Sequence, residues 1–497
     1  MRHAALYLTT FLTIAAPLHA QDLPQATNEW FTAGAAAVEA RAALVPNTNR
    51  ARNIILLIGD GNGVAANYGA RLFAGQAAGG LGDDFNLAHD TLPYAALVKT
   101  YSTNGQTPDS APTASAMMTG IKTANDLINV TDVVDLEDCA AVAANSVTTL
   151  PEIMAANGLS VGIVSTARIT HATPAAVYAQ TASRDFEDNS DLPEGCTQQD
   201  IAVQLLEEMR AGVVDIALGG GRRHFLPAET VDDEGENGRR TDGRNLIAEA
   251  AEFGAQYAWN AETAAALTTT GNAPILGLFE TSHMEYEADR TDEPTLAAMT
   301  ATAITALSSN ENGYFLMVEA GRIDHALHAG DVNRTFADGV ALSEAVQMAL
   351  DMTNAEDTLI IVTADHDHSL QFNGYCGRGS PINGLCMEID PNGTTHLATP
   401  TLAADGKPYT VAGFVNGPGS LFTEENGYDA APRPALTAEE VTTLGYLPQA
   451  SVPLESETHS GVDVAAYANG PWAHLIDGTM EQNEIFHVMN YALNASK

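Results

Sequence analysis

Glu319, Asp324, His325 and His328 lie together in the segment Val-Glu-Ala-Gly-Arg-Ile-Asp-His-Ala-Leu-His at 318–328. The apolar run before it, Tyr314 to Val318, reads as a buried strand. Asp324 and His328 stand four apart, so a helical turn leaving that strand would put them on one face. A carboxylate and an imidazole side by side at a strand end suit a divalent ion of zinc type. Glu319, a hard oxygen donor, could reach a second, harder ion such as magnesium. The segment predicts a polynuclear metal site.

Three further stretches carry ligand chemistry. Thr-Ala-Asp-His-Asp-His at 363–368 follows the run Thr-Leu-Ile-Ile-Val. Asp365 and His366 are adjacent, so they meet one ion only on a turn, which a strand end provides. Ile-Gly-Asp-Gly-Asn-Gly at 58–63 places Asp60 in another strand-end turn, where glycines permit close backbone approach. Glu-Thr-His-Ser-Gly at 457–461 adds His459. Each alone also fits an ordinary satisfied turn or a structural histidine. Pro-Asp-Ser-Ala-Pro at 108–112 offers Ser110 beside Asp109. Such a serine suits a helix N-cap. As a nucleophile it would need activation; no G-x-S-x-G elbow surrounds it, and a metal ion that lowers the pKa of a bound oxygen would serve.

The elements that must position these groups are short runs of Val, Ile and Leu: 53–58, 160–164, 215–218, 314–318, 358–362 and 409–415. Segments with helical spacing lie between them, at 151–157, 200–210, 295–307 and 334–352. Near-continuously apolar strands alternating with helices predict an α/β fold. We expect a three-layer αβα sandwich, its central sheet mostly parallel and covered on both faces. Ligands on such sheets sit beyond the carboxyl ends of the strands, where Asp60, Glu319, Asp365 and His366 fall. Residues 227–245 read as polar loop. Residues 370–455, rich in Gly, Pro and Thr, read as an inserted, crown-like region on the core.

The first twenty residues, with Arg2 and His3 ahead of an apolar run and Leu-His-Ala at 18–20, read as a secretory signal peptide. Residues 21–497 are then expected to form one catalytic domain, and the protein to be periplasmic or secreted. No later run approaches the ~18–20 apolar residues of a membrane helix, and the C-terminal residues have no hydrophobic tail of lipid-anchor type. Four cysteines fit an oxidising compartment and allow three pairings. The favoured set is Cys139 with Cys196 and Cys376 with Cys386, the second closing a Gly-rich loop. Acidic residues number 63 against 22 basic ones, which makes nucleic acid a poor partner. The excess reads as a solvated, salt-tolerant surface.

Taken together, the pieces resemble the alkaline phosphatase family over nearly the whole chain after residue 20. The resemblance rests on Asn-Ile-Ile-Leu-Leu-Ile-Gly-Asp-Gly at 53–61, Asp-Ser-Ala at 109–111, His-Ala-Thr-Pro-Ala-Ala at 171–176 and Ser-Arg-Asp at 183–185. The 318–328 segment, Thr-Ala-Asp-His at 363–366 and Glu-Thr-His at 457–459 complete the order. Arg-Ile-Asp-His at 322–325, Gly-Leu-Phe-Glu at 277–280, Asn-Gly-Pro-Gly at 416–419 and Gly-Pro-Trp-Ala-His-Leu at 470–475 resemble the animal-type branch.

The resemblance implies an exported phosphomonoesterase acting on small phosphate monoesters through a phosphoserine, with two Zn2+ and one Mg2+ per chain. One zinc would take Asp324, His328 and His459, and the other Asp60, Asp365 and His366. Magnesium would take Asp60, Thr173 and Glu319. Ser110 would be the nucleophile, Arg184 would fork onto the phosphate and Asp109 would orient that arginine. His171 and His325 occupy places that vary within the family; His171 belongs beside the magnesium and His325 beside the substrate phosphate. The resemblance also implies a calcium-like fourth site at Glu234, Phe279, Glu280 and Glu293, and a homodimer. Related activities leave traces here only in part. A sulfatase needs C/S-x-P-x-R, and Ser110-Ala111-Pro112-Thr113-Ala114 fails at Ala114. A diesterase has less use for a third metal or for Arg184, and a non-catalytic binder has no use for an intact nucleophile.

Overall fold

The computed structural model describes residues 23–271, 273–429 and 431–495. The signal-like segment 1–20 lies outside them. The chain divides after Val45. Residues 23–45 carry the helix Glu29–Ala42, capped by the side chain of Asn28. Everything from Pro46 onward builds a second compact unit around one large sheet.

Eight strands of that sheet are β1 (Asn53–Gly59), β2 (Tyr94–Lys99), β3 (Ser160–Arg168), β4 (Ile216–Gly220), β5 (Gln256–Ala258), β6 (Ile275–Leu278), β7 (Tyr314–Ala320) and β8 (Thr358–Ala364). Strands Val464–Asn469 and Gly478–Glu481 complete it. The spatial order is Gly478–Glu481, β2, Val464–Asn469, β8, β1, β7, β3, β4, β6, β5. All pairings are parallel except those of Val464–Asn469 with β8 and β2.

β1 shows why the sheet is covered on both sides. Its apolar run is unbroken from Ile54 to Ile58, and alternate residues of a strand point to opposite faces. Ile54, Leu56 and Ile58 enter one core with Met117 of helix Ser110–Thr119, Leu205 of helix Ile201–Ala211 and Met489 of helix Glu484–Asn494. Ile55 and Leu57 enter the other, with Ile304 of helix Leu296–Leu307, Leu342 of helix Val332–Met352 and Leu72 of helix Val64–Ala77. The architecture is the α/β sandwich expected. Helix starts also follow local chemistry: Asp200 and Thr295 cap the helices that follow them.

Two expected strands differ in the structure. The run 314–318 continues to Ala320, because parallel pairing with β1 carries on through Ile58–Glu319 and Gly59–Ala320. Glu319 is thus inside β7 rather than after it. The run 409–415 contributes to no strand of the large sheet. Its latter part joins Ala412–Gly417, which pairs with Leu370–Phe372 and Ala450–Pro453 in a separate three-stranded sheet. Both disulfides of the favoured set are present, Cys139–Cys196 and Cys376–Cys386, with Cα atoms 5.6 and 4.9 Å apart. Among the described residues no helix is long and apolar enough to cross a membrane.

Candidate functional site

Three neighbouring parallel strands, β8, β1 and β7, end level with one another. Their register pairs Gly59 with both Ala320 and Ala364, so Asp60, Glu319 and Asp365 emerge side by side. All three carboxylates are fully buried. Asp60, Asp365 and His366 offer donor atoms within 4.8 Å of one another, and so do Asp60, His171 and Glu319. Gly61 makes the approach possible. Its φ of +67° favours glycine, and a Cβ there would stand 2.5 Å from the His368 ring. Its N–H donates to Asp365 Oδ1 at 2.9 Å.

A third group joins Asp324, His328, His368 and His459, again within 4.8 Å. Asp324 and His328 sit on the helical turn Arg322–His328 that follows β7, on one face as their spacing requires. The two-residue strands Asp367–His368 and His459–Ser460 pair antiparallel and set His368 opposite His459. His328 Nδ1 contacts the Glu457 carbonyl at 2.5 Å, and His459 Nδ1 the Pro108 carbonyl at 2.9 Å. Both Nδ1 atoms are thereby committed as donors, which leaves the Nε2 lone pairs, 3.0 Å apart, to converge beside Asp324.

His368 has a different part. Its Nε2 lies 2.8 Å from Asp324 Oδ1 and its Nδ1 2.5 Å from Glu457 Oε2. Burial alone would push this imidazole down, but the two carboxylates outweigh it and hold it up at about 10. His368 thus braces Asp324 from Glu457, while the Nε2 atoms of His328 and His459 stand beside the same carboxylate. Burial pushes Asp324 up, yet the hydrogen bond with His368 outweighs it and brings the carboxyl well below the usual range.

The residues fit metal ions on two counts. Buried polar atoms with no hydrogen-bond partner cluster here: Asp60 Oδ2, Thr173 Oγ1, Glu319 Oε1, Asp365 Oδ2 and His171 Nδ1. Unsatisfied buried groups are costly unless something absent from the protein completes them. The carboxyls also crowd one another. Burial, then Asp365, Asp324 and Glu319, push Asp60 well up. Burial pushes Glu319 up to about 7 against the Ser165 hydroxyl that pulls it down. A divalent cation relieves that repulsion. Thr173 lies on the short turn Ala172–Ala175, which packs on β7.

Ser110 is the first residue of a ten-residue helix, Ser110–Thr119, buried along its whole length. Asp109, not Ser110, is the N-cap, accepting from the Ala111 N–H at 2.8 Å. Ser110 Oγ lies 3.2 Å from His366 Nε2 and 3.4 Å from Asp60 Oδ1. Asp109 Oδ1 also accepts from Arg184 Nη1 at 2.9 Å, and Oδ2 from the Asp126 N–H at 2.7 Å. Arg184 Nη2 reaches His171 Nε2 at 2.8 Å. The helix N-terminus, the serine hydroxyl and a guanidinium thus face one place, an arrangement suited to a tetrahedral anion.

Sequence reasoning missed His368, Glu457, Ser165 and His283. The first carried a signal: His366 and His368 stand two apart on an extended chain and so share a side. Ser165, whose hydroxyl donates to Glu319, lies on β3 with no motif around it. The glutamates of the expected fourth site each have protein partners. Glu234 pairs with Arg222, and Glu293 pairs with Arg290 while accepting from the Glu285 N–H. Glu280 accepts from the Thr281 N–H. Among the described residues these glutamates form no tight three-donor group. A further group, Asp188, Asp191 and His224, is neutralised by Arg239 and reads as an ion-paired cluster.

The alkaline phosphatase family profile matches residues 51–495. The tissue-nonspecific alkaline phosphatase of Felis catus is 39% identical over 461 residues, covering 90% of this chain and 84% of that protein. An alkaline phosphatase of Gadus morhua is 38% identical over 460 residues, covering 90% and 92%. Among solved structures, the Thermus thermophilus alkaline phosphatase superposes with a TM-score of 0.64 at 22% identity, covering 91% of this chain and 93% of its own. That of the Antarctic bacterium TAB5 gives 0.61 at 22%, covering 90% and 100%. At such identity the two structures speak to the fold.

Proposed function

This chain belongs to the alkaline phosphatase family, and from that premise we propose that it hydrolyses phosphate monoesters through a phosphoserine at Ser110. The enzyme is a metal-dependent phosphomonoesterase. The observation that carries the mechanism is Ser110 Oγ, poised 3.2 Å from His366 Nε2 and beside Asp60, with Arg184 and a helix N-terminus on the same anion position.

Asp324, His328 and His459 would hold one Zn2+, and Asp60, Asp365 and His366 the other. Asp60, Thr173 and Glu319 would hold Mg2+, with His171 alongside. When bound, these ions act as Lewis acids on phosphate and leaving-group oxygens and lower the pKa of a coordinated hydroxyl. The protein's own groups do the rest. Arg184, held by Asp109, grips two phosphate oxygens and presents phosphorus to Ser110. The seryl oxygen forms the new P–O bond in line as the bond from phosphorus to the ester oxygen breaks, and the proton that Ser110 gives up leaves with the alcohol. Water then attacks the phosphoserine, inorganic phosphate departs and Ser110 recovers its proton. His325, packed against His171, would stand beside the substrate phosphate.

Chelation should abolish hydrolysis of an aryl phosphate, and zinc with magnesium should restore it. The restored enzyme should strongly prefer a mono-aryl over a bis-aryl phosphate; equal rates on the two would contradict the monoesterase assignment. We read residues 21–497 as one catalytic domain, preceded by an export signal at 1–20. Export to the periplasm or medium, a homodimer and a calcium site at Glu234, Phe279, Glu280 and Glu293 extend the same reading. Cell fractionation, sedimentation and calcium titration test them in turn.

A further inference from the structure

Three imidazoles pack on one another at the phosphate side of the site. The His283 ring centroid lies 3.9 Å from that of His325 and 5.4 Å from that of His171, and the last two are 5.5 Å apart. The cluster joins the anion site directly, because His171 Nε2 touches Arg184 Nη2.

His283 is anchored and His325 is not. Arg168, the last residue of β3, donates its backbone N–H to His283 Nδ1 at 3.2 Å, and its side chain lies beside the ring. Arg168 is itself clamped by Glu187 through Nε at 2.8 Å and Nη2 at 2.6 Å. Its carbonyl accepts from the His171 N–H at 2.9 Å. One residue at a rigid strand end therefore orients both His171 and His283. His325 has no such anchor: its Nδ1 is buried without a protein partner. Its ring packs against those of His283 and His171.

We propose that His283 is a positioning residue for the phosphate-binding side of the site: anchored on Arg168, its ring holds His325, and with it His171, in the orientation presented to the substrate. It touches neither the substrate nor a metal ion. The inference rests on the phosphomonoesterase reading of the same site.

The test is a double-mutant cycle on the zinc- and magnesium-replete enzyme with an aryl phosphate. His283→Ala should raise KM and the inhibition constant of inorganic phosphate in parallel, roughly three- to tenfold, while kcat changes by about twofold at most. Metal content should not change. His283→Asn keeps an acceptor for the Arg168 N–H but lacks the ring, so it should fold like the wild type and show the same rise. Adding His283→Ala to His325→Ala should cost nothing more than His325→Ala alone. Additive effects in the cycle, or wild-type KM in His283→Asn, would overturn the inference. A wild type that leaves monoesters intact would overturn the underlying reading and the inference with it.

Discussion

His368 is bonded to Asp324 at 2.8 Å through Nε2 and to Glu457 at 2.5 Å through Nδ1, so a buried imidazole bridges two carboxylates. On the proposed zinc assignment it would orient a ligand without being one. Outer partners of this kind commonly change metal affinity by about 10–100-fold. His368→Ala should weaken zinc at the Asp324–His328–His459 position by that order, measured as zinc retained against a competing chelator. Retention equal to the wild type would mean that Asp324 holds its geometry unaided.

The unpartnered Thr173 hydroxyl makes a separate prediction. Thr173→Val conserves shape and removes only the oxygen. The magnesium concentration that gives half-activation should rise roughly tenfold, with zinc content unchanged. An unaltered magnesium response would remove Thr173 from that site.

Asp109 has two duties that substitution can separate. It caps helix Ser110–Thr119 and it holds Arg184. Asparagine caps as well as aspartate does but carries no charge to pair with the guanidinium. Asp109→Asn should raise KM and the phosphate inhibition constant at nearly wild-type stability. Asp109→Ala should add a loss of about 1 kcal/mol in unfolding free energy. Equal stability of the two variants would show that the cap contributes nothing.

Acid stability should depend on Glu187. Burial pushes its carboxyl up, but His224 and Arg168 outweigh that and hold it down at about 2. A depressed folded-state pKa stabilises the protein fully above the unfolded carboxyl pKa of about 4.3. That contribution is lost as the pH falls from there through about 2. Glu187→Gln should be less stable near neutrality and show a shallower loss across this acid window. Parallel stability curves for variant and wild type, followed by denaturant midpoints against pH, would contradict the assignment.

The sequence made Asp60 and Asp365 readable because each follows an unbroken apolar run. Asp60 after 53–58 and Asp365 after 358–362 needed only the rule that parallel α/β sheets bind at their carboxyl ends. The order of the strands was hidden, since nothing local says that β1 lies between β7 and β8. The edges were hidden too. β2 alternates buried and exposed residues in a small-residue context, and β5 has three residues, too few for a period to register. His283 was invisible for a different reason. It stands in an irregular segment, and its neighbours, Arg168 and His325, come from distant parts of the chain. Only tertiary packing joins them.

The central claim is covalent chemistry at one serine. The replete enzyme, mixed with a radiolabelled phosphate monoester, quenched in acid and mapped by peptide, tests it most directly. The account predicts label on the peptide containing Ser110 and none in Ser110→Ala, which should also lose nearly all hydrolysis. Label on another residue, or undiminished hydrolysis by Ser110→Ala, would contradict it.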